Sequence, residues 1–449
     1  MNTGQWGYVA IFAAALLALS FVFGGASRQN ALRLAVVELA ALPLIVLTIR
    51  HLLNEAVFAR RSFCLAILAL TVLLPLSQVI PLPPGLWQAL PGRDDLTLGL
   101  ALTGTPPGWT PLSLTPDLTW RSVLALFPPI AMLLGVLVMP AIFRQRVIWL
   151  WLALTVAGIT LAAAQIASGG DRLYPWSWTQ PGFAVGFFAN RNHMAALCTT
   201  AIPFAVALAT ADLGNRIWNR RALWIGIGLT LLLVAAIATI RSRAGIVLAA
   251  PAVLVSLLAA WRMSGRWRPD RRLLMIGGAV VLATVMATTF ALAPIIARFE
   301  SMPLSQEGRF AQWPLVIEAA QLYLPVGSGI GSFDAVFRSI EPLAALDSTY
   351  FNAAHNEYLQ IWLEAGWLGV ALLIAFAVWY GRRSWSAWRG GASQDRNLQR
   401  AASIAIGLLL AHSFVDYPLR TETMAVFFAL CCGILEFAGR PRGETRQPA

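Results

Sequence analysis

The sequence predicts an all-α polytopic membrane protein, and three observations carry that prediction. The 449 residues are 58% hydrophobic and 12% charged, about half the charged share of a soluble domain. The apolar residues gather in runs close to the roughly 20 residues that cross a bilayer as a helix. One interruption, 298–369, holds about 70 residues, far beyond an ordinary connection, and it contains Arg, His, Asn, Glu and Trp.

About 12 transmembrane helices are expected, at 6–24, 34–50, 62–80, 122–142, 147–167, 193–211, 222–240, 244–262, 273–293, 366–381, 401–416 and 421–438. Residues 1–292 thus hold nine spans with outer loops 81–120 and 168–192. Residues 293–365 form a long, partly helical outer loop, and 366–449 hold three more spans and a short tail. No Lys or Arg precedes the first run, so it lacks the basic start of a signal peptide and reads as a retained span. The loop 81–120 is rich in Pro, Gly and Thr, carries Trp87, Trp109 and Trp120, and reads as an irregular segment at the interface. The tenth run is short and begins inside the preceding helix, while the eleventh and twelfth form a helical hairpin.

The net charge is +12, and all 33 basic residues are Arg. These arginines sit in short loops between apolar runs, which is a topology signal and not a nucleic-acid footprint. With the amino terminus inside, most of them fall in cytoplasmic loops, both termini are cytoplasmic and the long polar segments face outward; Arg28 and Arg33 are an exception. The absence of Lys excludes a lysine Schiff base or general base. Cys64, Cys198, Cys431 and Cys432 lie in apolar runs without zinc-ligand spacing and read as core residues. There is no Walker motif, no His-Glu-x-x-His and no carboxylate cluster for Mg²⁺. An enzyme acting on the outer face therefore draws its driving force from an activated, lipid-linked substrate.

The candidate site residues lie in the outward segments. Arg241 and Arg243 stand at the mouth of two apolar helices with no acid nearby in sequence. Either they bind a diphosphate through paired guanidinium bonds, or they snorkel to lipid headgroups. Arg309, four residues before Trp313, shares a helical face with it if Pro314 sits at a kink or break; the other reading is a surface charge. A helix over 355–364 places Asn356, Glu357, Gln360 and Glu364 on one face and His355, Tyr358, Leu359 and Trp362 on the other. Glu357 and His355 are then not a catalytic pair. His355 is either a base for a sugar hydroxyl or a helix-end core residue. His193 follows Asn190-Arg191-Asn192 and either lines a substrate or packs at the membrane edge. His412 and Asp416 share a face; Asp416 orients a His, pairs with an Arg or caps the twelfth helix. Glu38, inside the second run, either marks a transport site or pairs with Arg33 or reaches the interface. His51, beside Arg50, has no assigned role.

These motifs, taken in order, resemble the O-antigen ligase superfamily. It includes O-antigen ligases, Wzy-type polysaccharide polymerases and O-linked protein oligosaccharyltransferases. The resemblance runs over roughly 180–435 and is carried by Gly186-Phe187-Phe188-Ala189-Asn190-Arg191-Asn192-His193, Arg241-Ser242-Arg243-Ala244-Gly245, Gly308-Arg309 to Trp313, Gly327 to Phe333, and His355-Asn356-Glu357-Tyr358-Leu359 with Glu364-Ala365-Gly366 and Gly369. It implies a metal-independent membrane glycosyltransferase with no cofactor, in the bacterial inner membrane, acting on its periplasmic face. The implied donor is a glycan on undecaprenyl diphosphate. The implied acceptor is lipid A-core, another glycan or a protein hydroxyl. The resemblance gives Arg243 and Arg309, with Arg241 less firmly, the diphosphate, and gives His355 the acceptor hydroxyl. Asn190, Arg191, His193, Asn356 and Asp416 are the expected substrate-binding set. Two competing readings are a small-solute or anion transporter, which needs polar groups at mid-depth and interrupted spans, and a lipid-linked-oligosaccharide flippase.

Overall fold

The computed structural model describes residues 3–27, 30–52, 55–177, 179, 182–210, 220–263, 278, 308–343, 351–391 and 393–437. The predicted ninth run, 273–293, lies outside them apart from residue 278. Of the described residues, 76% are helical. Among the described residues the sheet is one antiparallel ribbon, β1 (Pro81–Leu82) on β2 (Thr110–Pro111). The helices are α1 (Thr3–Phe23), α2 (Ala31–Leu52), α3 (Glu55–Gln78), α4 (Pro84–Trp87), α5 (Asp94–Leu102), α6 (Pro116–Leu124), α7 (Phe127–Val138), α8 (Ala141–Ser168), α9 (Arg191–Ala209), α10 (Arg220–Ile240), α11 (Arg243–Met263), α12 (Gly308–Ala311), α13 (Trp313–Leu322), α14 (Phe333–Ile340), α15 (Glu357–Arg389), α16 (Gln394–His412) and α17 (Glu422–Glu436). Nine helical segments among the described residues are long and apolar enough to cross a membrane. α16 and α17, at the eleventh and twelfth predicted runs, are not among them. α16 opens with a polar turn and α17 has 15 residues, yet both are largely buried in the bundle.

α9 is the axis of the bundle, with α8, α10, α11 and α16 packed around it. Its inward positions are small: Ala195, Ala196, Ala201 and Ala205 have at most 1% exposure. Small side chains let neighbouring backbones approach closely where apolar burial gives little drive between helices. Thr199 and Thr200 return their hydroxyls to Ala195 O (2.6 Å) and Ala196 O (2.8 Å), so neither hydroxyl is left for lipid to satisfy. α1 buries Val9, Ala13, Leu16 and Leu17 completely, one stripe at helical spacing, against α2, α7, α8 and α17.

A second apolar cluster stands apart from the bundle: Val316, Ala319 and Tyr323 from α13, Phe333, Val336 and Phe337 from α14, with Ala354 and Leu363. The glycine-rich turn between α13 and α14 ties this outer layer down. Ser328 N donates to Leu363 O (3.0 Å) and Gly329 N to Glu364 O (2.9 Å). Gln78, at the end of α3, donates from Nε2 to Glu364 O (3.0 Å) and accepts from Ile330 N (2.8 Å). The loop 81–120 joins the same layer through Leu114 N to Ser328 O (2.9 Å) and Thr119 Oγ1 to Ile330 O (2.7 Å). It is therefore not irregular, as the composition suggested: it holds α4, α5 and the ribbon, and the stretch from Leu114 into α6 is bonded to partners some 200 residues on. The fourth predicted run is likewise two helices, α6 and α7, which meet at Leu126.

α15 is continuous in outline but broken at Gly366 (φ 55°, ψ −146°). A Cβ there would collide with Pro325 O, and the adjacent Trp367 N donates to that same carbonyl (3.0 Å). Only glycine takes this conformation at no steric cost. The break divides α15 into an outer segment, beginning beside His355, and a membrane segment containing the tenth predicted run. At the far end Glu436, fully buried, accepts from Trp379 Nε1 (2.9 Å) and pairs with Arg383 NH2 (2.6 Å), locking α15 to α17.

Candidate active site

Four chain segments meet at the junction of bundle and outer layer. The first is the start of α9. Its approach is fixed by Gln165 of α8, which donates to Gly186 O (2.9 Å) and accepts from the amides of Val185 (3.2 Å) and Gly186 (2.9 Å). Asn190 caps α9 by accepting from Asn192 N (2.8 Å). Arg191 lies over the Phe183 ring at 4.4 Å.

The second is the turn between α10 and α11. Arg241 takes the left-handed conformation (φ 55°) and is exposed; Arg243, half-buried, is the first residue of α11. Between them Ser242 is buried and donates to Asn192 Oδ1 (2.9 Å).

The third carries His355. The helix expected over 355–364 starts instead at Glu357, with Asn356 as its cap. The Asn356 Oδ1 accepts from Tyr358 N (3.0 Å) and Leu359 N (3.1 Å), so Asn356, expected in the substrate-binding set, is committed to capping. His355 stands outside the helix in the left-handed region (φ 50°), half-buried, and the predicted face shared with Tyr358 and Leu359 does not apply to it. Its Nδ1 is 2.9 Å from Ala353 O. A carbonyl only accepts, so Nδ1 carries the hydrogen and Nε2 is the basic nitrogen of the neutral ring.

The fourth is the corner between α16 and α17. Asp416, fully buried, accepts from Asn192 Nδ2 (2.6 Å) and Tyr417 N (2.9 Å), and its Oδ1 is 3.7 Å from His193 Nε2. The cap of α17 is Thr421, not Asp416. His193 has 1% exposure, and neither ring nitrogen makes a hydrogen bond among the described residues. His193 and Asp416 thus form the floor beneath His355 and do not stand on its open wall. Tyr417 separates the two histidines, its ring edge-on to His355 (4.9 Å) and to His193 (5.4 Å).

Glu357 turns away from His355, accepting from Leu419 N (3.2 Å). Glu364 is buried and accepts from Gln360 Nε2 (2.9 Å), with Arg420 at 3.6 Å. The Arg309 segment breaks at Gln312, so Arg309 and Trp313 belong to different helices. Pro314 falls in the first turn of α13, where its missing N–H costs nothing. Trp313 Nε1 donates to Ala354 O (3.1 Å), which brings α12 and α13 against the residue preceding His355. The side chain of Arg309 lies outside the described residues. Arg33 does not meet Glu38; it donates to Pro175 O (2.8 Å) and stacks on Trp176.

Asn192, Ser242, Tyr417 and Arg420 were not among the predicted site residues. The first three stood inside or beside the quoted motifs, but only the fold reveals that they face one another.

From this corner a cavity of about 440 Å³ runs into the bundle between α3, α6, α7, α15 and α17. Glu357 and Leu419 line it at the site end, Leu126, Ile361 and Phe428 along its length, and Trp379 and Cys432 toward the Glu436–Arg383 pair.

Fold and site together define a multi-pass helical membrane protein in which His, Arg and Asp residues gather where its bundle meets an ordered outer layer. Residues 227–374 match the family model for O-antigen ligase, and that match supports the O-antigen ligase superfamily for this chain. The matched segment runs from α10 to the membrane half of α15; it includes Arg241, Arg243, Arg309, His355 and Asn356 and leaves out Asn190–His193 and Asp416. No curated protein matches the chain.

Proposed function

We propose that the protein transfers a glycan from undecaprenyl diphosphate to an acceptor hydroxyl on the periplasmic face of the bacterial inner membrane. The carrying observation is the apolar cavity whose lining runs from Glu357 and Leu419 into the bundle: it suits a polyprenyl chain, and the family match supports an O-antigen ligase-type glycosyltransferase. In this reading the chain lies along α15 and α17, and its diphosphate comes out at the corner facing Arg241 and Arg243, with Arg309 brought in by the α12–α13 segment. Guanidinium groups stabilise the charge that grows on the leaving diphosphate. The acceptor oxygen forms a bond to the anomeric carbon as the bond from that carbon to phosphate breaks. The hydroxyl proton passes to His355 Nε2, and undecaprenyl diphosphate leaves with the bonding pair. Asn190, Arg191 and the buried His193–Asp416 pair shape and support the pocket. Both termini are cytoplasmic in this arrangement.

The test uses purified protein with an undecaprenyl-diphosphate oligosaccharide, supplied either with lipid A-core or alone. Transfer to lipid A-core that His355→Ala and Arg309→Ala both abolish makes it a ligase. Lengthening of the donor glycan, lost in the same variants, makes it a polymerase. Transfer indifferent to both substitutions removes the site assignment, and no transfer with any suitable donor removes the function.

A further inference from the structure

The excursion between α3 and α6 carries a helix that the rest of the chain leaves uncovered. α5 buries none of its nine residues. Leu98 is 58% exposed and Leu102 79%, and Trp109 beyond them is 69% exposed. Apart from Asp94, Asp95 and Thr97 the helix is leucine, alanine and glycine. Leucine side chains left bare in water forgo the burial that apolar surface favours, so this surface calls for a partner.

α5 stands on a built footing. Beneath its start the Arg93 side chain has 2% exposure, donates to Leu112 O and lies over the Tyr323 ring at 5.7 Å. At its far side Trp87, fully buried, donates from Nε1 to Gly108 O (2.9 Å). The helix is therefore presented by a fixed base. Leu70 and Leu73 of α3, and Ile80 and Leu86 beyond its end, are likewise more than half exposed, so that strip of apolar residues leads from α3 toward the excursion in sequence. α3 is one of the membrane-crossing segments, so the lower part of that strip faces lipid. The excursion also leaves from one wall of the apolar cavity, α3, and re-enters through another, α6.

We propose that α5 is an interfacial helix, embedded in the leaflet at the outer-layer end of the bundle, with lipid acyl chains as its partner. Asp94 and Asp95 sit at its amino terminus, where they favour the helix dipole. Trp109 is of the residue type that settles at headgroup level. The protein then grips the bilayer sideways at the lip of the cavity as well as spanning it. This inference is independent of the glycan-transfer reading.

Nitroxide labels at Leu98→Cys and Leu102→Cys in lipid nanodiscs test it, with Leu73→Cys as the lipid-facing reference and Thr105→Cys as a second position in the excursion. The native cysteines are buried, and the unlabelled parent sets the background. Labels on exposed positions leave the packing untouched. Oxygen accessibility exceeding that of a water-soluble nickel chelate at 98 and 102, as at 73, is the expected result. Chelate accessibility exceeding oxygen at both would place α5 in water and overturn the proposal. Low access to both reagents, with dipolar broadening between molecules, would replace lipid with a second copy of the chain and equally overturn it.

Discussion

The Tyr417 ring lies edge-on to His355, with centroids 4.9 Å apart, and edge-on to His193, so it links His355 to the buried floor made by His193 and Asp416. His355 lies in a turn and not in a helix, so its orientation depends on such neighbours. Tyr417→Ala is expected to lower glycan transfer at least tenfold while the protein still folds, and Tyr417→Phe to keep most of the activity because the ring remains. Assays of transfer alongside thermal unfolding separate the two. Equal loss in both variants would assign the effect to the hydroxyl.

His355 also occupies a backbone region that disfavours most side chains, though Asn and His enter it more readily. His355→Asn is expected to abolish transfer with little change in stability. His355→Val is expected to abolish transfer and in addition to lower stability by about 1–2 kcal/mol, the cost of left-handed backbone. Unfolding curves of the purified variants check this, and equal stabilities would contradict the strained turn.

The cavity gives a prediction for donor binding. Leu373→Trp, on its membrane wall, should raise KM for the lipid-linked donor by roughly tenfold, a cost of about 1.4 kcal/mol, with kcat nearly unchanged. Initial rates across donor concentrations show it. A fall in kcat alone would mean that the chain does not bind there.

The Arg383–Glu436 pair predicts a stability effect far from the chemistry. Glu436 is fully buried while Arg383 is 27% exposed, so Arg383→Ala strands a carboxylate that also holds Trp379. Breaking a buried pair costs about 3–5 kcal/mol, and the partial exposure of Arg383 puts the expected loss near the lower end. Glu436→Gln keeps the Trp379 bond and should cost less. Detergent melting curves give the order, and transfer per folded molecule should be unaffected in both.

The membrane bundle was legible because a spanning helix announces itself in one window of sequence: the runs at 147–167 and 193–211 correspond closely to α8 and α9. α16 and α17 were legible as a hairpin because Asp416-Tyr417-Pro418 punctuates them. The outer layer was not, because its order comes from distant polar pairs. Nothing local in Gln78 shows that it will bond Ile330 and Glu364, and nothing in a Pro- and Thr-rich loop shows that Thr119 will meet Ile330. The site was half legible. His355, Arg241, Arg243 and Asp416 follow from charge in unusual places, whereas Ser242, Asn192 and Tyr417 are ordinary residues whose importance lies in whom they touch. For Asn356 the structure adds a capping role through Oδ1, which is invisible until the helix boundary is known.

The break at Gly366 works as a universal joint. Membranes differ in thickness, and a spanning helix answers by changing its tilt. With an unbroken rod from Glu357 to Arg389, each change of tilt would swing His355 through an arc. Here the outer part of α15 is bonded to the glycine-rich turn and to Gln78, so a change of angle at Gly366 would let the membrane part tilt without carrying His355. Such a bend would separate the geometry at His355 from the mechanics of the bilayer. Transfer rates in lipids of short and long acyl chains are expected to differ little for this protein, and a large difference would show that the bend does not absorb the change of tilt.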